Sequence, residues 1–421
     1  MLDHAPVSMD STPPAGRLAR WMVWSCRFLL FSALLSPAAA FSRTLRVGPG
    51  MQFSGIAKAV AAARPGDVIK VWPAHGGSYT RTAVEVNTAG LTIESAIPGK
   101  LIRINAEGFN YSGRGQVPRA VFQFNPNADN CVLRGFDLHG AHNHSFNGAG
   151  IRINAADNVL VTHCYIHGND MGIMSNGNFH RGTGANQRIE FCRITGNGSY
   201  KDPGYNHNLY LDGTSALILG CDISHPLTGH DIKSRCHITW VEYCYVHGSS
   251  NREFDLVDDR ANTAAANSDA VVLGCLIVKG GGAGNHQVIH FGQDGGGPHN
   301  GTLFVIHNTI RTPWSSPVFV LSAQGAKIFC CDNRITGPRG GDSLTMFVHG
   351  AKEGNFSGRG NLLSSGYGQW RKNLGGPLLS WRQVRRLLPR TGLPVKDRHL
   401  MRLRHGKLTP WPGLSAGAGR N

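Results

Sequence analysis

The stretch Gly229-His230-Asp231-Ile232-Lys233-Ser234-Arg235 gathers two cations, a carboxylate and an imidazole around a single isoleucine. As a β-strand it would place Asp231, Lys233 and Arg235 on one face, because strand side chains alternate with period two. One chemistry that uses such a group is β-elimination on an acidic polysaccharide. It needs a base for the proton beside a uronate carboxyl, a cation to stabilise the resulting anion, and an acid for the leaving oxygen. Lys233 is the expected base, provided that Arg235 lowers its pKa. Arg235 would neutralise the carboxylate, and Tyr210 or His230 would be the acid. The alternative chemistry is hydrolysis, with two carboxyls flanking a glycosidic bond. Asp212, Asp231, Glu253 and Asp255 offer several such pairs. Cross-strand pairing of Lys233 with Asp255 and Arg235 with Asp212 would account for the same residues without any catalysis.

A repeat positions this stretch. An apolar residue, two variable ones, Cys or Asn, a variable one and Ile or Val recur together. Examples are Val161-Thr162-His163-Cys164-Tyr165-Ile166, Ile189-Glu190-Phe191-Cys192-Arg193-Ile194 and Val305-Ile306-His307-Asn308-Thr309-Ile310. From Phe136 the marker falls at Cys164, Cys192, Cys221, Cys244, Cys275, Asn308, Asn333 and Asn361. A period in the high twenties, made of short β-like pieces with Gly/Asn turns, predicts a solenoid of parallel strands. The Cys/Asn column then stacks inside the coil, so these cysteines are expected as interior packing rather than bridges or ligands. No zinc-finger spacing is present. His139, His163 and His167 read as turn or surface groups.

A second ladder, Ile151, Ile173, Leu209, Ile232, Phe254, Val288 and Val318, is expected to point inward. The residues flanking it should face out, and their polarity peaks in the middle coils. The peak comprises Asn208, Tyr210, Asp212, Asp231, Lys233, Arg235, Glu253 and Asp255, with Lys233 between Tyr210 and Asp255. His207 and His230 share a further column, and the end of the face holds His290 and Asp294. His207, Asn208, Asp212, Asp231, Glu253, Asp255 and His290 are the expected substrate contacts.

Before the repeat, Ser54 is placed to cap a helix over Ile56–Ala63. Pro65-Gly66-Asp67 ends it and the strand Val68-Ile69-Lys70-Val71-Trp72 follows. Such a helix would cover the open end of a solenoid. Together, this helix, the Pro-Gly-Asp turn and the Cys/Asn-x-Ile repeats resemble the right-handed parallel β-helix proteins of the pectate-lyase-like superfamily. The resemblance implies an all-β, right-handed, single-stranded parallel β-helix with a short N-terminal capping helix. It also implies activity on a polysaccharide, in a superfamily that includes lyases, glycoside hydrolases and members without known catalysis. Alginate lyases of this type use a Lys and an Arg, and Lys233-Ser234-Arg235 is similar to their lysine-containing strand, although the surrounding motifs are not matched. Calcium could sit among the acids of the charged face, as in pectate lyases, but Lys233 and Arg235 oppose a cation site, so no cofactor is expected.

The 421 residues carry a formal net charge of +16. Twelve Lys/Arg against one acid, Asp397, fall between Trp370 and Asn421, so this tail holds eleven of those charges. It reads as a solvated arm or a contact for an anionic surface. No nucleic-acid-binding motif accompanies it. Arg17 and Arg20, the apolar run Trp21–Leu35 and Ser36-Pro37-Ala38-Ala39-Ala40 read as a secretory signal, giving a secreted or periplasmic chain with no membrane span once mature. The expected organisation is a signal over 1–40, a β-helix over 41–365 and a basic tail over 366–421. The mature chain is expected to be monomeric, with an acidic polysaccharide as its partner. The alternative to an enzyme is a non-catalytic β-helix that binds glycan or serves the envelope.

Overall fold

The computed structural model describes residues 42–115, 117–338, 346–348, 355–370 and 374–391. The signal expected over 1–40 and most of the basic tail lie outside these residues. Every described strand belongs to the unit that begins at Arg43. Among the described residues, no helix is long and apolar enough to cross a membrane.

Three sheets of twelve, ten and eleven strands run along the chain, and each complete coil contributes one strand to each sheet. Every strand pairing is parallel. The architecture is a parallel β-helix, nearly all β. The repeat marks its eleven-stranded sheet. Leu138, Ile166, Ile194, Ile223, Val246, Ile277, Ile310, Ile335 and Leu363 stand in one register column, and all are buried. Burying each of these side chains contributes on the order of 2 kcal/mol.

The Cys/Asn column stacks as expected. The Cys192 N–H meets Cys221 Sγ at 3.4 Å and the Cys221 N–H meets Cys244 Sγ at 3.4 Å. Asn308 Oδ1 accepts from the Cys275 N–H at 2.8 Å, and Asn333 Oδ1 from the Asn308 N–H at 2.9 Å. All nine described cysteines are unbridged and buried. One residue earlier the chain turns through the left-handed region, at His163, Phe191, Gly220, Tyr243, Gly274, His307 and Asp332. A single residue in this conformation makes the corner between two sheets, which is why the two strands of each repeat lie so close in sequence.

The N-terminal helix spans Ile56–Ala62 and buries Ile56, Ala59 and Val60. It packs on the strands Thr44–Val47 and Val84–Val86, which are the first edges of the twelve- and ten-stranded sheets. It therefore covers the open end, as expected. Gly55 rather than Ser54 is the N-cap residue, and no side chain caps it. A short basic helix spans Trp381–Leu387. Val384 joins Leu379, Trp240, Val271 and Ile306 in a small cluster. This cluster lies on the outer side of the twelve-stranded sheet, since the inner side belongs to the main core.

Candidate functional site

The ten-stranded sheet carries the charged face. Tyr210, Lys233, Asp255 and His290 are register partners on four consecutive strands. Ile232 and Ser234 point inward, so Lys233 and Arg235 point out, as the alternation requires. The expected inward ladder slips by one residue in its last two coils: Ile289 and Phe319, not Val288 and Val318, pair in line with Phe254. The turns there change length, and a one-residue change moves every side chain to the other face. The slip brings His290 beside Asp255.

Asp255 is the hub. Its Oδ2 accepts from Lys233 Nζ at 3.0 Å and lies 3.4 Å from His230 Nε2. Its Oδ1 meets His290 Nδ1 at 2.8 Å and Arg252 NH1 at 2.9 Å. Burial alone would raise its pKa, but His230, His290 and Lys233 outweigh burial and hold it well below the usual carboxylate range. The same contacts act on Lys233. Burial lowers it, yet Asp255 and Asp294 prevail and raise its pKa, so it stands as an ammonium. The expectation that Arg235 would make Lys233 a neutral base fails on this geometry, because two carboxylates lie closer to it.

The outer layer is a fork. Lys233 Nζ and Arg235 NH2 reach one oxygen of Asp294, Oδ2, at 2.7 and 2.6 Å. Arg235 Nε donates to the Tyr210 hydroxyl at 3.0 Å, and its NH1 donates to the Asp258 carbonyl. The Asp258 carboxylate accepts from the backbone N–H of Asp294, of Gly295 at 2.9 Å and of Gly297 at 2.6 Å. It thereby anchors the loop that carries Asp294. A Cβ on Gly297 would fall 2.7 Å from that carboxylate, so this close approach needs glycine.

Asp212 follows directly on the neighbouring strand Leu209–Leu211, and its Oδ1 accepts from Asn262. Burial, helped by the charge of Asp259, pushes its carboxyl up to about 7. His230 and His207 stack at 5.0 Å. The Nδ1 of His207 accepts the His230 N–H, and the Nδ1 of His230 accepts the Arg252 N–H. Burial first, then neighbouring positive groups, drives His230 down to about 4 and His207 well below the usual imidazole range. Both are therefore neutral at pH 7 and nearly inaccessible, which makes His230 a support for Asp255 rather than an exposed acid.

Three expected surface residues lie inside. Asn208, Asp231 and Glu253 are fully buried. Asn169, Asn197, Asn208 and Asp231 form an interior polar ladder, with successive side-chain hydrogen bonds of 3.0, 2.9 and 3.0 Å. Glu253 lies 3.2 Å from buried Lys279. These positions precede the strands Leu209–Leu211, Ile232–Ser234 and Phe254–Val257. Alternation applies within a strand, and the bend before it turns them into the coil. Burial and Glu253 raise the Asp231 carboxyl well above the usual range.

Asp258 and Asn262 complete the site without a local signal in the sequence. Asp258 is paired by residues 36 to 39 positions onward, a separation no short motif records. The donor set does not fit calcium. The site's two central carboxylates, Asp255 and Asp294, are already held by Lys233, Arg235 and Arg252, and a dication would meet three cations there.

No family model matches the chain, and no curated protein matches it either. Solved structures do. A protein of Geobacillus virus E2, ORF18, is similar over 84% of this chain and 66% of its own, at 12% identity and a TM-score of 0.49. The pectate lyase Pel9A is similar over 81% of this chain and 82% of its own, at 13% identity and a TM-score of 0.42. A pectin methylesterase from Aspergillus niger is similar over 73% and 90%, at 12% identity and a TM-score of 0.39. With three all-parallel sheets, a one-residue left-handed corner between the twelve- and eleven-stranded sheets and a helix over the first edges, the chain has a parallel β-helix fold.

Proposed function

We propose that the face around Lys233 and Arg235 binds an acidic polysaccharide and cleaves it by β-elimination, outside the cytoplasm and as a monomer. The observation that carries this is the fork: two cations converge on a single, half-exposed carboxylate. A uronate carboxylate that displaced Asp294 would meet the same two donors. Lys233 and Arg235, both cationic, would then stabilise the anion that forms beside that carboxylate. Asp212, with its carboxyl at about 7, is poised to take the proton near neutral pH. As that proton leaves, its electron pair forms the double bond and the bond to the leaving sugar oxygen breaks. Tyr210 gives its hydroxyl proton to that oxygen and regains one from water.

The same face continues toward the N-terminus. Tyr210, Met174, Arg152, Gln123 and Glu85 stand in one column. Arg152 bonds Asn154 and Met174 but meets no carboxylate among the described residues. An unmatched, largely covered cation on the path of the chain suits a polyanion.

The test is incubation with alginate, pectate and glycosaminoglycans while ultraviolet absorbance of the unsaturated product is followed. Appearance of that product on one of them, lost in Arg235→Ala, is the expected result. New reducing ends without it would replace elimination with hydrolysis, for which Asp212 would be the acid. Binding without cleavage would leave the face a glycan-docking surface, and the absence of both binding and cleavage would overturn the proposal.

A further inference from the structure

A second chemical cluster lies on the eleven-stranded sheet. We propose that Asp137, His139 and His167 bind a transition-metal dication, with zinc the preferred ion. Asp137 and His139 belong to the strand Phe136–His139, and His167 to Tyr165–His167 on the next coil. His139 and His167 are register partners, so the parallel sheet stacks their rings 5.0 Å apart at 16°. One nitrogen from each imidazole and one oxygen of Asp137 all lie within 4.8 Å of one another.

The hydrogen bonding of the cluster points to an ion. His167 Nε2 meets Asp137 Oδ1 at 2.9 Å. His139 Nδ1 lies 3.6 Å from that same oxygen, beyond hydrogen-bond reach. It is buried and has no hydrogen-bond partner. An unpaired buried nitrogen is costly unless something else satisfies it. A dication among the three atoms would do so.

The supports match what a metal site needs. Arg103 Nε holds the other carboxylate oxygen, Oδ2, at 3.2 Å, which orients Asp137 and turns Oδ1 toward the two imidazoles. The ring of Tyr165 stacks on His167 at 4.1 Å and fixes its plane. Two imidazoles and one carboxylate suit zinc with a water as fourth ligand, and disfavour calcium and magnesium.

The protein carries its own control. Tyr245 and His247 repeat the arrangement: the rings stack at 3.8 Å, and His247 Nε2 meets Asp222 Oδ1 at 3.1 Å. There, however, Ser224 is the register partner of His247. No imidazole stands in register there: His225 meets His247 edge-on, at 5.1 Å and 88°, instead of stacking over it, and Asp222 and His247 form a simple hydrogen-bonded pair.

The experiment uses the whole chain without a histidine tag, stripped by chelator and titrated calorimetrically with zinc. One ion per chain and a rise in Tm are expected, with no response to calcium. His139→Gln and His167→Gln should each weaken binding at least about tenfold, whereas His247→Gln should leave it unchanged. Should a variant fail to fold, cobalt(II) bound to the unaltered chain provides a second measurement, its intense visible bands reporting a four-coordinate site with imidazole ligands. No zinc uptake, uptake unchanged in both variants, or cobalt bands typical of a fully hydrated ion would each overturn the proposal.

Discussion

Lys233 and Asp294 meet at 2.7 Å although 61 residues separate them, and the same carboxylate oxygen is held by Arg235. The contact closes the cationic fork with a group from the protein itself. Asp294 occupies the place proposed for the substrate carboxylate. Asp294→Ala should therefore tighten binding of an acidic oligosaccharide by about twofold to fivefold, the worth of one partly exposed ion pair. Calorimetric titration reads this directly, and weaker binding would mean that Asp294 itself contacts the ligand.

Lys233 and Arg235 should separate in stability. Lys233→Ala leaves the buried carboxylate of Asp255 short of a cation, and should lower unfolding free energy by about 3 kcal/mol in denaturant titration. Arg235→Lys keeps the charge on a more exposed position. It should change stability by less than about 1 kcal/mol while lowering kcat/KM about a hundredfold, because the planar fork to Asp294, Tyr210 and the substrate is lost.

Asp212 supplies a pH signature. Its carboxyl is raised to about 7, chiefly by burial. If it is the base, kcat/KM should rise with pH through about 7 and level off above it. Stability runs the other way. The native state holds the Asp212 proton to higher pH than the unfolded chain does, so its contribution is complete below the unfolded carboxylate pKa and is lost as pH rises through about 7. Glu242 and Glu253 shift in the same direction, so the quantity to measure is the difference in Tm between the unaltered chain and Asp212→Asn from pH 4 to pH 8. That difference should shrink as the pH rises. A pH-independent difference would contradict the assignment.

Arg152 should act on binding alone. Arg152→Ala is expected to raise KM several-fold with kcat nearly unchanged, since it lies three strands from Lys233 along the face. Steady-state kinetics on long and short oligosaccharides would show the effect only on the long ones.

The inner column should accept its own alphabet. Cys275 lies next to Asn308 in the stack, so Cys275→Asn extends the asparagine run and should alter stability by no more than about 1 kcal/mol. Cys275→Leu places a branched chain in a filled bend and should cost about 1–3 kcal/mol. Thermal unfolding distinguishes the two.

Much of the architecture was legible because a β-helix writes its period into the chain. Phe136 to Asn361 mark successive coils, and the same steps place Leu138, Ile166 and Leu363 in one column. Lys233 could likewise be placed between Tyr210 and Asp255, because strand alternation is a local property. Corners and turn lengths are decided elsewhere. Asp231 looked like an outward neighbour of Lys233, but it lies on a bend and turns into the ladder begun by Asn169. His290 moved into line with Asp255 because one turn is a residue longer than the period implies.

The stretch Gly229–Arg235 by itself determined that two cations share one strand face, since Ile232 and Ser234 must face the core between them. Only the tertiary structure decided what those cations are. It brought Asp294 onto both and set Asp255 beneath Lys233, and two close carboxylates stabilise an ammonium where a neutral amine had been expected. It also stacked His139 over His167, one coil apart, where the linear spacing shows no metal motif. Such contacts arise from the rise between coils and the length of each turn, which no short window of residues contains.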